Sequence, residues 1–303
     1  MPRSHRAPLF EMKYNGAKPV TITEYLKEHG SFSTRGLRKY FFKGLVFLNR
    51  RRAHSEATIK PGDLVQVYPL AEETASVIPE PLPLEIVFEN DEMLIVNKPP
   101  RMAVHPVKTF TTGTLANAVA HYFQSRSIPA KVRPVHRLDY GTSGLVIFAK
   151  DARSQALLGG LIEQRRIKRI YYALVQGVPE AERGSIDKPI GIKNGQRLID
   201  PSGQAALTHF TVIERYQGVS LIELTLDTGR THQIRIHVRA IGHPLLGDAQ
   251  YGIPSNLIKR PALHAGKLVF VESGLDLPDQ QVPWPADFQT AIDRLKSETV
   301  LKL

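Results

Sequence analysis

The sequence predicts an α+β protein, with helices packed on a mainly antiparallel sheet and a small, separate α/β module ahead of it. Three observations carry this. Leu145-Val146-Ile147-Phe148-Ala149 is a short apolar run bounded by Gly144 and Lys150, as in a buried strand. Ile222, Leu224 and Leu226 alternate with Glu223 and Thr225, the period-two pattern of a half-buried strand. Residues 231–241 have helical spacing instead: Ile234, Val238 and Ile241 form an apolar stripe, and His232, Arg235 and Arg239 a polar one.

In chain order, residues 1–17 read as a flexible basic arm. Thr21 or Thr23 can cap a helix containing Tyr25 and Leu26, and Ser33 or Thr34 another containing Leu37, Tyr40 and Phe41. Val46-Phe47-Leu48 and Leu64-Val65-Gln66-Val67-Tyr68 read as strands, the second entered through the turn Pro61-Gly62-Asp63. These segments define a module over residues 18–70. Residues 71–83 hold Pro79, Pro81 and Pro83 with Glu72, Glu73 and Glu80 and no apolar period, so they read as an extended linker. Residues 84–303 form the large domain, with strands expected over 93–96, 144–149, 170–175, 207–213 and 221–226. Gly242 and Pro244 stop the helix that carries Arg235.

Composition narrows the function. A 303-residue chain of ordinary hydrophobic content can bury a sizeable core. It has no run of about eighteen apolar residues, so no membrane span is expected. Met1-Pro2-Arg3-Ser4-His5-Arg6 has no apolar segment behind it, unlike a signal peptide. The absence of cysteine removes disulfides, Cys-bound zinc and a Cys nucleophile, and fits a reducing cytoplasm. The net charge of +11 favours a polyanionic partner. Residues 1–70 concentrate it, with 13 Lys/Arg against 5 Asp/Glu, a net +8. A merely solvated basic surface accounts for the same numbers.

The chemistry-bearing residues cluster around His136-Arg137-Leu138-Asp139-Tyr140-Gly141-Thr142-Ser143-Gly144. This places one carboxylate on a Gly-containing loop against a rigid strand, a frequent setting for a reactive group and an equally ordinary turn. The string resembles the H-R-L-D-x-x-T-S-G signature of the RluA-type RNA pseudouridine synthases. Four further segments match that family in order: Asn97-Lys98-Pro99 with Val104-His105-Pro106, Arg169 to Val175, Thr228-Gly229-Arg230-Thr231-His232-Gln233-Ile234-Arg235-Ile236-His237, and Leu263-His264-Ala265. Together they span about residues 84–275.

The resemblance implies the pseudouridine synthase fold, with a catalytic cleft on its central sheet and no cofactor or metal. It implies Asp139 as the catalytic carboxylate, attacking ribose or base or supporting a glycal-type elimination. Arg235 is the implied cation beside it, and an Arg at about 4–6 Å typically lowers a carboxylate pKa by about 1–3 units. Tyr171 is the implied active-site tyrosine, while Tyr172 faces the other way on its strand. Arg137, His136, Thr142, Arg230, Lys98 and His105 are expected around the substrate, although His136 suits a structural hydrogen bond and Thr142 a loop brace as well. Pro100-Arg101 stands where the family commonly has Ala-Gly. The run Arg165, Arg166, Lys168, Arg169 is either a solvated helix end or a phosphate track.

The helix-helix-strand-strand order of residues 18–70 resembles the S4 RNA-binding module, implying Arg35, Arg38, Lys39, Arg50, Arg51 and Arg52 as its RNA contacts. Members with such a module point to large-subunit ribosomal RNA, with transfer RNA the alternative and a monomer the default. Three rival readings fit less well. A protein kinase lacks support, with no Gly-rich loop upstream and no D-F-G downstream. A glycosidase needs two paired carboxylates. An idle RNA-binding protein has no chemical reason to keep Asp139, Tyr171 and Arg235 together. The histidines show no zincin-like spacing with a Glu, so no metal site is expected.

Overall fold

The computed structural model describes residues 8–30, 32, 34–68, 77–107, 111–275 and 277–300. The chain divides into two compact units, residues 1–76 and 77–303.

The first unit contains β1 (Phe10–Lys13), β2 (Val20–Thr21), α1 (Ile22–His29), α2 (Thr34–Phe42), β3 (Val46–Leu48), β4 (Arg51–Arg52), β5 (Thr58–Ile59) and β6 (Leu64–Val67). The sheet runs β1-β6-β3-β4, and β2 pairs with β5. Thr21 caps α1 in a capping box: its hydroxyl accepts the Glu24 N–H at 3.2 Å, and the Glu24 carboxylate accepts the Thr21 N–H at 3.1 Å. The expected basic arm is corrected here. Residues 1–7 lie outside the described residues, but residues 10–13 pair with β6. Aromatic anchors are the reason: Phe10 meets Tyr25 and Phe32 edge-on, each at 6.1 Å, and Tyr14 meets Tyr25 at 5.2 Å. Asn49 and Arg50 both take positive φ at the β3–β4 turn. Arg38, Lys39, Arg50, Arg51 and Arg52 are exposed; Arg35 lies on α2, with its side chain outside the described residues.

The second unit contains β7 (Glu85–Glu89), β8 (Met93–Lys98), α3 (Leu115–Ser125), β9 (Arg133–Pro134), β10 (Ser143–Ala149), α4 (Ala152–Glu163), β11 (Ile167–Gln176) and β12 (Arg183–Asp187). It continues with β13 (Ile190–Lys193), β14 (Gln196–Ile199), β15 (Leu207–Tyr216), β16 (Val219–Leu226), α5 (Gln233–Ala240), β17 (Leu263–Phe270), β18 (Gln280–Gln281) and α6 (Ala286–Val300). The main path of the central sheet is β12-β15-β16-β11-β17-β10-β8-β7. Its pairs are antiparallel except β10 with β17, which is parallel. The unit is therefore α+β with a mixed, mainly antiparallel sheet, as expected.

Alternation divides the core between the two faces of the sheet. Val146, Phe148, Tyr171, Ala173, Ile222 and Leu224 meet α3 and α5 in one cluster. Leu145 and Ile147 meet α4 on the opposite face, where Leu174 and Leu221 meet α6. β10 is therefore buried on both faces, which is why it reads as an unbroken apolar run. β16 is half-buried only from Glu223 onward, since Leu221 packs under α6.

The expected linker is also corrected. Residues 71–76 lie outside the described residues, but 77–83 belong to the second unit. Asn117 Nδ2 donates to the Ile78 carbonyl at 2.8 Å, and the Asn117 carbonyl accepts the Glu80 N–H at 3.1 Å. The prolines thus keep the segment extended while α3 holds it. No helix among the described residues is long and apolar enough to cross a membrane.

Candidate active site

Asp139 lies between β9 and β10 in a tight turn whose Thr142 N–H donates to the Asp139 carbonyl at 3.0 Å. The segment is thus a turn, and the turn presents the carboxylate to the cleft. Gly144 then enters the sheet at φ +115, where a Cβ would lie 2.1 Å from the Ala265 carbonyl oxygen. Only glycine lets β10 approach β17 so closely. Register does the rest: Gly144 is opposite Ala265, and Ala265 is opposite Tyr171 on β11. The sheet thereby brings residues far apart in sequence to one edge of a cleft.

That cleft has a volume of about 550 Å³ and is lined by Arg137, Asp139, Arg169, Tyr171, Arg230 and Arg235, together with His136 and Thr142. Arg235 projects from α5, whose Ile234 and Val238 are anchored in the core. Its Nη1 lies 3.4 Å from Asp139 Oδ2. A stronger partner sits behind it: Arg235 Nε and Nη2 each donate to Asp248 at 2.7 Å. Asp248 is buried. Burial opposes its charge, but the Arg235 hydrogen bonds and charge, with the Tyr251 and Gln250 N–H groups, hold its carboxyl below the ordinary range. The Arg235 guanidinium also lies over the Tyr251 ring, 4.9 Å from its centroid. It is thus fixed from behind and aimed at Asp139.

His232 brackets the carboxylate from another side, with Nε2 3.9 Å from Asp139 Oδ1 and Nδ1 3.0 Å from the Tyr251 hydroxyl. Burial lowers its pKa, so the ring is neutral near pH 7. Tyr171 is buried, and burial raises its pKa, keeping the phenol protonated. α5 starts later than its periodicity suggests, at Gln233, because His232 takes φ +60. The Gln233 Oε1 accepts from the Thr228 hydroxyl at 2.8 Å and the Arg230 N–H at 2.9 Å, holding residues 228–230 as a loop. His237 is structural, bonded to the Thr208 hydroxyl and the Lys188 carbonyl, each at 2.9 Å.

Two expectations change, and His136 takes the structural bond that it suits. Lys98 does not line the cleft: it is fully buried, and its Nζ donates to the carbonyls of Pro99 and Met102 at 2.8 Å and of Tyr140 at 3.4 Å. It ties the first motif to the Asp139 turn, and burial, with the charge of Arg260, lowers its pKa to about 7. His105 is likewise outside the cleft lining, close enough to Arg137 for that charge to add to burial in lowering its pKa. His136 lines the cleft, but its Nε2 accepts the Ile147 N–H at 3.3 Å, a structural bond, and burial holds the ring neutral with a pKa of about 3.

The basic run also divides. α4 ends at Glu163, Arg165 pairs with Asp227 at 3.1 Å, and only Arg169 of the run reaches the cleft wall together with Tyr171. Arg101 adopts φ +60, the left-handed conformation that glycine takes at least cost, so the backbone turn survives without the glycine. Sequence reasoning misses Asp248, His232, Gln233 and Tyr251 as site residues. Asp248 carries a weak signal, an acidic residue between Gly247 and Gly252. No group of three or more His, Cys, Asp or Glu among the described residues could hold a metal.

Comparison with known proteins agrees with this geometry. Residues 92–240 match the RNA pseudouridylate synthase family. The chain is 42% identical over 250 residues to the uncharacterized RNA pseudouridine synthase YhcT of Bacillus subtilis, covering 80% of this chain and 83% of that one. It is 37% identical over 290 residues to ribosomal large subunit pseudouridine synthase D of Neisseria meningitidis, covering 89% and 77% of the two chains. Among solved structures, human RNA pseudouridylate synthase domain containing 1 superposes with a TM-score of 0.54 at 28% identity, covering 70% of this chain and 86% of that one. A carboxylate on the H-R-L-D turn, clamped by a core-anchored arginine beside a buried tyrosine, is thus found in a chain that belongs to the RluA-type family of RNA pseudouridine synthases, isomerases acting on RNA.

Proposed function

We propose that this enzyme converts uridine to pseudouridine in large-subunit ribosomal RNA, with Asp139 as the catalytic carboxylate. The observation that carries the reading is the convergence of Asp139, Arg235 and Tyr171 on one cleft bordered by Arg137, Arg169 and Arg230. The name of the Neisseria relative and its coverage of 89% of this chain support a ribosomal target.

The net reaction breaks the N1–C1′ bond, forms a C5–C1′ bond, and moves one proton from C5 to N1. Atoms and electrons balance without a cofactor. Asp139 engages the ribose–base junction while Arg235 orients it and balances its charge. Tyr171, protonated and rigid in the sheet, packs against the detached base and keeps it in place as it turns. Arg137, Arg169 and Arg230 neutralise phosphates of the extruded nucleotide. The first unit adds affinity through Arg38, Lys39 and Arg50 to Arg52, in the manner of an S4 module.

The test maps pseudouridine in total RNA from cells with and without the gene. Sites in large-subunit RNA should vanish without the gene and return with wild type but not with Asp139→Asn. Restoration by Asp139→Asn would refute the assigned role, and loss confined to transfer RNA would refute the target. Replacing Arg35, Arg38 and Lys39 together should weaken RNA affinity and its salt dependence; unchanged affinity would remove the first unit from RNA recognition.

A further inference from the structure

We propose that a second cavity, between the β13–β14 hairpin and the outer face of α5, binds a nucleotide of the substrate RNA adjacent to the target uridine. Arg197 and Arg239 would take its phosphate. The inference rests on reading the Asp139 cleft as the uridine site. The cavity has a volume of about 390 Å³, within the range of about 300–1,000 Å³ typical of small-ligand sites.

Its chemistry suits one nucleotide. Leu198, Ile199 and Ile236 supply an apolar surface for a base face, and the Gln196 amide can read a base edge, while the Gln250 amide braces the wall by accepting from Arg235 Nη2 at 3.4 Å and donating to the Tyr251 hydroxyl at 3.1 Å. Arg197 and Arg239 are the charged residues in the lining, with no carboxylate among it, and among the described residues neither guanidinium has an ion-pair partner. A cavity with two uncompensated cations and an apolar floor selects an anion that carries a flat, partly apolar body.

Its location suits a neighbouring nucleotide. Tyr251 lines this cavity, while its hydroxyl meets His232 and its ring carries the Arg235 guanidinium. One aromatic wall therefore separates it from the residues around Asp139. Arg197 is near enough for its charge to act on both the His232 ring and the Tyr251 phenol. A strand of RNA whose uridine enters the first cleft would pass Arg197 on reaching the second. The hairpin is built to stand as a wall: Asn194 and Gly195 both take positive φ, forming a tight two-residue turn, and β14 packs against α5.

The probe is ribosomal RNA extracted from cells lacking the gene. Pseudouridine formation is followed against RNA concentration for wild type, the double variant Arg197→Gln with Arg239→Gln, Arg197→Lys, and Ala240→Phe, which fills the cavity without changing charge. The double variant should raise KM about tenfold, with kcat nearly unchanged. Its log KM should depend less steeply on log salt, by about 0.7 for each phosphate that is no longer neutralised. Arg197→Lys should keep most of the wild-type salt slope. Ala240→Phe should raise KM while leaving that slope alone. Ultraviolet cross-linking of the same RNA to wild type should place nucleotide adducts on peptides from residues 190–199 or on the peptide containing Tyr251. Unchanged KM in both the double variant and Ala240→Phe, or adducts absent from these peptides, overturns the proposal. An active Asp139→Asn enzyme would instead overturn the reading of the first cleft.

Discussion

Arg235 depends on Asp248 more than on Asp139, and this leads to a quantitative expectation. The Arg235 side chain is 10% exposed and Asp248 1%, with two hydrogen bonds of 2.7 Å between them. Asp248→Asn removes the charge but keeps the shape, leaving the guanidinium buried with only the 3.4 Å contact to Asp139 as carboxylate support. Breaking one side of a buried ion pair costs about 3–5 kcal/mol. For a unit of this size that corresponds to a fall in Tm on the order of 10 °C. The assay is urea unfolding followed by the single tryptophan, Trp284, which packs against Tyr172 and Phe288 and so reports on the catalytic unit. Arg235→Gln and the double variant complete a cycle, with an expected coupling of about 2–3 kcal/mol. In activity measurements Asp248→Asn should lower kcat more than it raises KM, because the guanidinium loses its aim while the cleft wall remains. A coupling below about 0.5 kcal/mol, or an undiminished kcat, would refute the view that Asp248 is the anchor.

Other expectations follow from the same geometry. Lys98 has a folded pKa of about 7, depressed from 10.5, so above pH 7 the unfolded chain binds more protons than the folded one and stability must rise with pH. Relative to Lys98→Met, wild type should gain about 2 kcal/mol between pH 7 and pH 9 in urea denaturation; a constant difference would mean that Lys98 stays charged. Gly144→Ala places a methyl against the Ala265 carbonyl at a positive φ, and should cost at least about 3 kcal/mol and most of the soluble yield. Thr21→Ala removes the capping box of α1 and should destabilise the first unit by about 1 kcal/mol without altering kcat, as separate measurements of unfolding and turnover would show.

Much of the site is legible in the sequence because its chemistry is local. The turn at Asp139, the strand after it and the helix carrying Arg235 each follow from residues within one short window. Not every local signal is decisive: Asn194-Gly195 between two short strand segments is a strong hairpin sequence, yet β13 and β14 lie outside the strands expected from alternation. The N-terminal arm misleads because its charge hides Phe10 and Tyr14, which lock residues 10–13 onto β6. The Pro-rich segment misleads for a related reason, since extended backbone can be held by a distant asparagine as readily as it can swing free.

Residue types and their local spacing set the inventory: an α+β chain, its buried strands, the amphipathic helix ending before Gly242, and one carboxylate set in a recognisable string. Which groups touch is a matter of the folded chain. Asp248 reaches Arg235 across 13 residues and Arg235 reaches Asp139 across 96, so no periodicity within either segment encodes the meeting. The same holds for Lys98, whose charge marks it for the substrate until three backbone carbonyls, one of them 42 residues away, claim its ammonium. Side-chain type limits what a residue can do, but burial and hydrogen-bond partners select among those roles, and both are set by sheet register, which is a property of the folded chain.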